Sequence, residues 1–105
     1  MKRLLLVICL SAAAFAAPPD DCAALRKHGK KAEAEACYKQ LAVNRDVYLS
    51  AEGYWGLGLY KEANDRFMQV TKANPKNALY HVRWGRMFLE KNQNDDADAE
   101  FDAAL

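Results

Sequence analysis

Histidine is scarce in this chain, cysteine is nearly so, and there is no excess of charge of either sign. His28 and His81 are the only histidines. The sequence also holds no H-E-x-x-H zinc helix, no G-x-S-x-G nucleophile elbow and no phosphate-binding glycine loop. The common hydrolytic and nucleotide-dependent chemistries therefore lack the residues that carry them, and neither a catalytic group nor a cofactor is assigned. Fifteen Lys and Arg stand against fourteen Asp and Glu. A nucleic-acid module would show a clustered basic excess, so nucleic acid is disfavoured as a partner. Gly/Ser-rich linkers, low-complexity runs and alternating strand patterns are missing as well. What remains, 51% hydrophobic with a few aromatics, suits one small globular unit rather than a disordered tail.

Nor is there a metal signature. Asn92, Asn94, Asp96, Asp98 and Glu100 superficially resemble the alternating oxygens of a calcium loop. Ala97 replaces the glycine of its sharp turn, however, and Ala103 the bidentate Glu. Helix capping by Asn94 or Asp95 is the better reading, and no metal site is assigned. His81 reads as a packed or hydrogen-bonded helix residue.

The longest hydrophobic run, Leu4 to Ala17, is 14 residues and includes Ser11. A membrane-spanning helix needs about 20 apolar residues, so no stable span is expected. A basic start at Lys2 and Arg3, an apolar stretch from Leu4 to Leu10 and the small-x-small triplet Ala14-Phe15-Ala16 instead describe a secretory signal peptide over residues 1–16. A lipoprotein reading through Cys9 fails, because Ile8 precedes it where a small residue is required. Cleavage removes Lys2 and Arg3, leaving thirteen basic residues against fourteen acidic ones and a formal charge of −1. The expected location is periplasmic or secreted.

Cys9 leaves with that segment, and Cys22 and Cys37 remain as an even pair. In a hairpin turning at Gly29 they stand seven and eight residues from the turn, level on facing helices. A disulfide is expected there, and an oxidising compartment permits it.

Across the rest of the chain, residues repeat at a distance of 34. Ala51, Tyr54, Ala63, Phe67 and Val70 recur as Gly85, Phe88, Ala97, Phe101 and Ala104. Small residues return to small positions and aromatics to aromatic ones. Such a period marks stacked helical hairpins. Gly58, Tyr60, Ala63, Phe67 and Pro75 stand in a G-x-Y-x-x-A-x-x-x-F arrangement with a later proline, and Trp84, Gly85, Phe88, Ala97 and Phe101 follow in the next copy. In these residues the chain resembles the tetratricopeptide repeat family. The resemblance implies an all-α solenoid: a degenerate first hairpin over 17–43, a repeat over 44–77, and a second repeat over 78–105 that is incomplete at its C-terminus. In the first hairpin Cys22, Leu25, Gly29, Ala34, Tyr38 and Leu41 precede Ala51, Tyr54, Gly58, Ala63, Phe67 and Val70 by 29 residues each. Helices are expected at Asp20–His28, Lys30–Ala42, Val47–Gly56, Lys61–Ala73, Ala78–Lys91 and Asp95–Leu105.

In the family the first helix of each hairpin lines a concave groove. The matching face here carries Tyr48, Glu52 and Trp55, then Val82, Arg86 and Leu89. An exposed Trp beside an Arg and a Glu is a plausible anchor for a peptide; packing of Trp55 against the neighbouring first helix is the equal alternative. Tyr48 and Glu52 occupy the places where some members carry a Lys/Asn clamp for C-terminal carboxylates, which disfavours that partner class. The sequence thus points to an exported, non-enzymatic scaffold binding a protein or peptide. The alternative is the N-terminal region of a larger exported enzyme, such as a peptidase or envelope-modifying enzyme. The last amphipathic helix lacks a polar cap, so self-association through it is also expected.

Overall fold

A computed structural model describes residues 18–105; the expected signal peptide, residues 1–16, lies outside the described residues. These residues form six helices and no strand: α1 Pro19–Lys27, α2 Lys31–Ala42, α3 Val47–Gly56, α4 Tyr60–Ala73, α5 Ala78–Glu90 and α6 Asn94–Ala104. Each boundary falls within one residue of its expected position.

Local chemistry sets these boundaries. Helix α1 opens with Pro19 at its first position and Asp20 and Asp21 in its first turn, and it closes with Arg26 and Lys27. Both charge placements oppose the helix dipole. The Asp46 carboxylate accepts the Leu49 N–H at 3.2 Å and caps α3. Asn77 caps α5 in the same way through Tyr80 N–H at 3.4 Å. Helix α4 stops at Ala73, before Asn74-Pro75, where proline disfavours α geometry in the preceding residue. The capping role expected of Asn94 or Asp95 is not found. Gln93 occupies the cap position with no side-chain bond, and both residues sit inside the first turn of α6. The acidic Asp95 and Asp96 there favour the helix start through the dipole instead.

The three turns within hairpins share one geometry. Gly29, Gly58 and Asn92 have φ of 78°, 77° and 59°. The next residue of each turn donates its N–H to the carbonyl five residues back: Lys30 to Leu25, Leu59 to Tyr54 and Gln93 to Phe88, all at 2.9 Å. This is the bonding of a Schellman helix end. Asn92 does the work of the missing glycine, because asparagine tolerates the left-handed region better than other side chains.

Successive helices pack on one another, and α1 also touches α3. Cys22, Ala34, Tyr38 and Leu41 form one buried cluster; Ala51, Ala63, Phe67, Trp84 and Met87 form a second. Ala34, Ala63 and Ala97, one per hairpin, are at most 1% exposed. Gly53 has a packing reason to stand inside a helix: a Cβ there would lie 2.2 Å from the backbone nitrogen of Ala42. The missing side chain lets α3 close on the end of α2. Phe101 is half-buried, with its ring edge against Gly85, where an added Cβ would meet it at 2.6 Å. Leu105 is fully exposed. Cys22 and Cys37 form a disulfide with Cα atoms 5.4 Å apart, joining α1 to α2.

Candidate functional site

Helices α3 and α5 face each other through long side chains. Tyr48 stacks on Tyr80 with ring centroids 4.7 Å apart. Glu52, only 3% exposed, accepts two bonds from the Arg83 guanidinium, Nε to Oε2 at 2.7 Å and Nη2 to Oε1 at 3.0 Å. It also accepts the Tyr48 hydroxyl at 2.6 Å. Burial, reinforced by that bond to Glu52, pushes the Tyr48 phenol well above its usual range, so it remains a donor. The bond to Glu52 likewise holds Arg83 firmly charged.

Trp55 stands next along α3. Its ring meets Phe67 edge-on at 6.1 Å, the Arg83 guanidinium lies 4.6 Å from its centroid, and its indole N–H donates to Glu90 Oε1 at 3.1 Å. The Tyr60 hydroxyl donates to the same oxygen at 3.2 Å. Trp55 is half-buried: it packs on the core and also borders an open cleft. That cleft, about 390 Å³, is lined by Arg26, Tyr38, Glu52, Trp55, Tyr60, Arg83 and Glu90 together with the Gly56–Gly58 backbone. Arg26 stacks 4.6 Å from the Tyr38 centroid and donates to the Gly56 carbonyl. Gly56 makes room for this arrangement, since a Cβ on it would collide with the Tyr38 ring.

Of the six residues expected to form the site, Tyr48, Glu52 and Trp55 lie together. On α5, Val82 is half-buried and Arg86 and Leu89 are exposed. The arginine beside Trp55 and Glu52 is Arg83, not Arg86. A 34-residue match places Arg86 opposite Glu52 in register, but contact between neighbouring helices is made one step around the cylinder. Arg83 and Glu90 were therefore missed. A buried Glu52 demands a cation, yet sequence alone offers both Arg83 and Arg86 for it.

A second buried polar set ties α5 to α6. His81, 7% exposed, has Nδ1 2.7 Å from Glu100 Oε1 and Nε2 2.6 Å from the Pro75 carbonyl. A carboxylate and a carbonyl both accept, so this arrangement favours the doubly protonated ring. The Glu100 bond raises the His81 pKa above the ordinary imidazole range, outweighing burial, and the Pro75 carbonyl adds to it. This matches the packed, hydrogen-bonded role expected for His81.

Comparison with family models, curated proteins and solved structures finds no match to this chain. The reading of the cleft therefore rests on its own geometry.

Proposed function

We propose that this chain is an exported, non-enzymatic scaffold whose helices form a TPR-like solenoid of three hairpins and whose cleft holds a protein or peptide partner. The observation that carries this reading is the cleft itself. Its charged lining, Arg26, Glu52, Arg83 and Glu90, and Trp55 come from α1, α3 and α5, the first helix of each hairpin, where a solenoid of this kind presents its groove. Tyr38 and Tyr60 reach it from α2 and α4. Aromatic and arginine side chains are the usual anchors of such surfaces. Supporting the repeat, the three positive-φ turns at Gly29, Gly58 and Asn92 keep the 29- and 34-residue spacings of the sequence. Supporting export, the Cys22–Cys37 disulfide suits an oxidising compartment. No helix among the described residues is long and apolar enough to cross a membrane.

The test is site-directed photocrosslinking in an exporting host. Benzoylphenylalanine at Arg26, on the cleft, should give a discrete protein adduct that Trp55→Ala diminishes. The same probe at the exposed Lys72 on α4 should give none. Equal adducts from both positions, or none from Arg26, would place any partner elsewhere.

A further inference from the structure

The cleft contains one carboxylate held in place without a cation. Glu90 Oε1 accepts from Trp55 Nε1 at 3.1 Å and from the Tyr60 hydroxyl at 3.2 Å. These donors come from α3 and the start of α4, whereas Glu90 ends α5, so side chains of one hairpin position a carboxylate of the next. Among the described residues the ion pairs are His81 with Glu100 and Arg83 with Glu52; no cation lies within 4.0 Å of the Glu90 oxygens.

Each neighbouring cation has contacts of its own, although only Arg83 is paired with a carboxylate; Arg26 and Lys91 are held by neutral groups and keep their charge. Arg83 is bound to Glu52 by two hydrogen bonds and lies on the Trp55 ring. Arg26 is held by the Gly56 carbonyl and the Tyr38 ring. Lys91 sits 4.5 Å from the centroid of Tyr60. Both donors to Glu90 are neutral: indole does not ionise in water, and burial, followed by the charge and hydrogen bond of Glu90, holds the Tyr60 phenol above its usual range. Two neutral donors orient a carboxylate without cancelling its charge. They occupy one oxygen and leave the second able to accept from a guanidinium or ammonium.

We infer that the cleft accepts a cationic side chain, arginine or lysine, of a bound peptide segment, with Glu90 as its counter-ion. This rests on the reading of the cleft as a partner site and adds the partner's chemistry to it. Arginine fits better than lysine, because a planar guanidinium can bond the carboxylate and still lie against the aromatic wall.

The two tryptophans provide the assay. Trp55 donates its indole N–H inside the cleft, while Trp84 donates its own to Asn64 at 2.9 Å, outside the cleft lining, and serves as internal reference. The ¹⁵N-labelled protein, residues 17–105, is titrated at constant ionic strength with acetyl-Gly-Arg-Gly-amide and with its Lys and Glu counterparts. The Trp55 indole signal should shift saturably with the Arg peptide, less tightly with the Lys peptide, and at least about tenfold more weakly with the Glu peptide, while Trp84 stays still. Glu90→Gln keeps an oxygen for both donors and removes the charge; it should weaken the Arg peptide about tenfold. Equal or tighter binding of the Glu peptide, or an unchanged Arg response in Glu90→Gln, overturns the cation assignment and leaves the groove reading to the crosslinking test. Absence of any saturable Trp55 shift also overturns it. An adduct at Arg26 alongside that absence would show that the groove stands without the cation preference.

Discussion

His81 bridges two segments that no other polar side-chain contact joins among the described residues: its ring links the Glu100 carboxylate on α6 to the Pro75 carbonyl before α5. A neutral imidazole has one donor, so only the imidazolium satisfies both acceptors. The folded state therefore binds a proton more tightly than the unfolded state, whose imidazole titrates near about 6.5. Its contribution to stability is full below that value and is lost as pH rises through the raised, folded pKa. Thermal unfolding should show stability falling on the alkaline side, and His81→Gln should flatten that dependence. A His81 midpoint at or below about 6.5 in an NMR titration would sink the assignment.

The disulfide gives a second expectation. Cys22 and Cys37 are 15 residues apart, and by the chain-entropy model a loop of that size is worth about 3 kcal/mol. Protein recovered from an exporting host should begin at Ala17, or within a residue or two, and have a mass two hydrogens short of the dithiol. Reduction should lower unfolding stability by roughly that amount. Two freely alkylated thiols in the denatured, unreduced protein would remove this account of the first hairpin.

Gly53 separates two principles that predict opposite signs. Helix propensity alone makes Gly→Ala favourable by about 1 kcal/mol. The backbone of Ala42 and Leu41 lies 2.2–2.7 Å from the position of an added Cβ, and backbone atoms cannot step aside as a flexible side chain can. Gly53→Ala should therefore destabilise the chain by about 1–3 kcal/mol through overpacking. Phe67→Ala, at a side chain with no exposure, should cost about 3–5 kcal/mol, while Lys61→Ala on the exposed face should be nearly neutral. A denaturant series on the three variants checks the order; a stabilised Gly53→Ala would refute the close approach of α2 and α3.

Those contrasts show what the sequence could and could not convey. Periodicity, proline and glycine placed every helix to within a residue, because the signals that end a helix are local. The left-handed turn at Asn92 was not legible, since the position lacks the glycine that marks Gly29 and Gly58. The partnership of the cleft residues was less legible. Repeat arithmetic aligns equivalent positions on one face, so it names Tyr48, Glu52 and Trp55 correctly as neighbours. It cannot supply the rotation between adjacent helices, and that rotation selects Arg83 over Arg86 and brings Glu90 to Trp55.

The Glu52–Arg83 pair offers the sharpest check on that rotation. Glu52 is buried at 3% side-chain exposure, while Arg83 keeps 30%. Removing the arginine strands a buried carboxylate that retains only the Tyr48 hydroxyl; removing the carboxylate's charge leaves an arginine still partly in water. The two losses should be unequal. Arg83→Met should cost about 3 kcal/mol, the lower end for breaking a buried pair because one partner is partly solvated. Glu52→Gln should cost less, since the amide oxygen still accepts from Tyr48 or Arg83. The double variant Glu52→Gln with Arg83→Met should recover part of the Arg83→Met loss, because no charge is then stranded, giving a coupling energy of about 1 kcal/mol or more in a double-mutant cycle. Arg86→Met, one turn away and exposed, should change stability by less than about 0.5 kcal/mol. If Arg86→Met proved the costly change and Arg83→Met the neutral one, α5 would be rotated from its position here, and Glu90 would no longer meet Trp55.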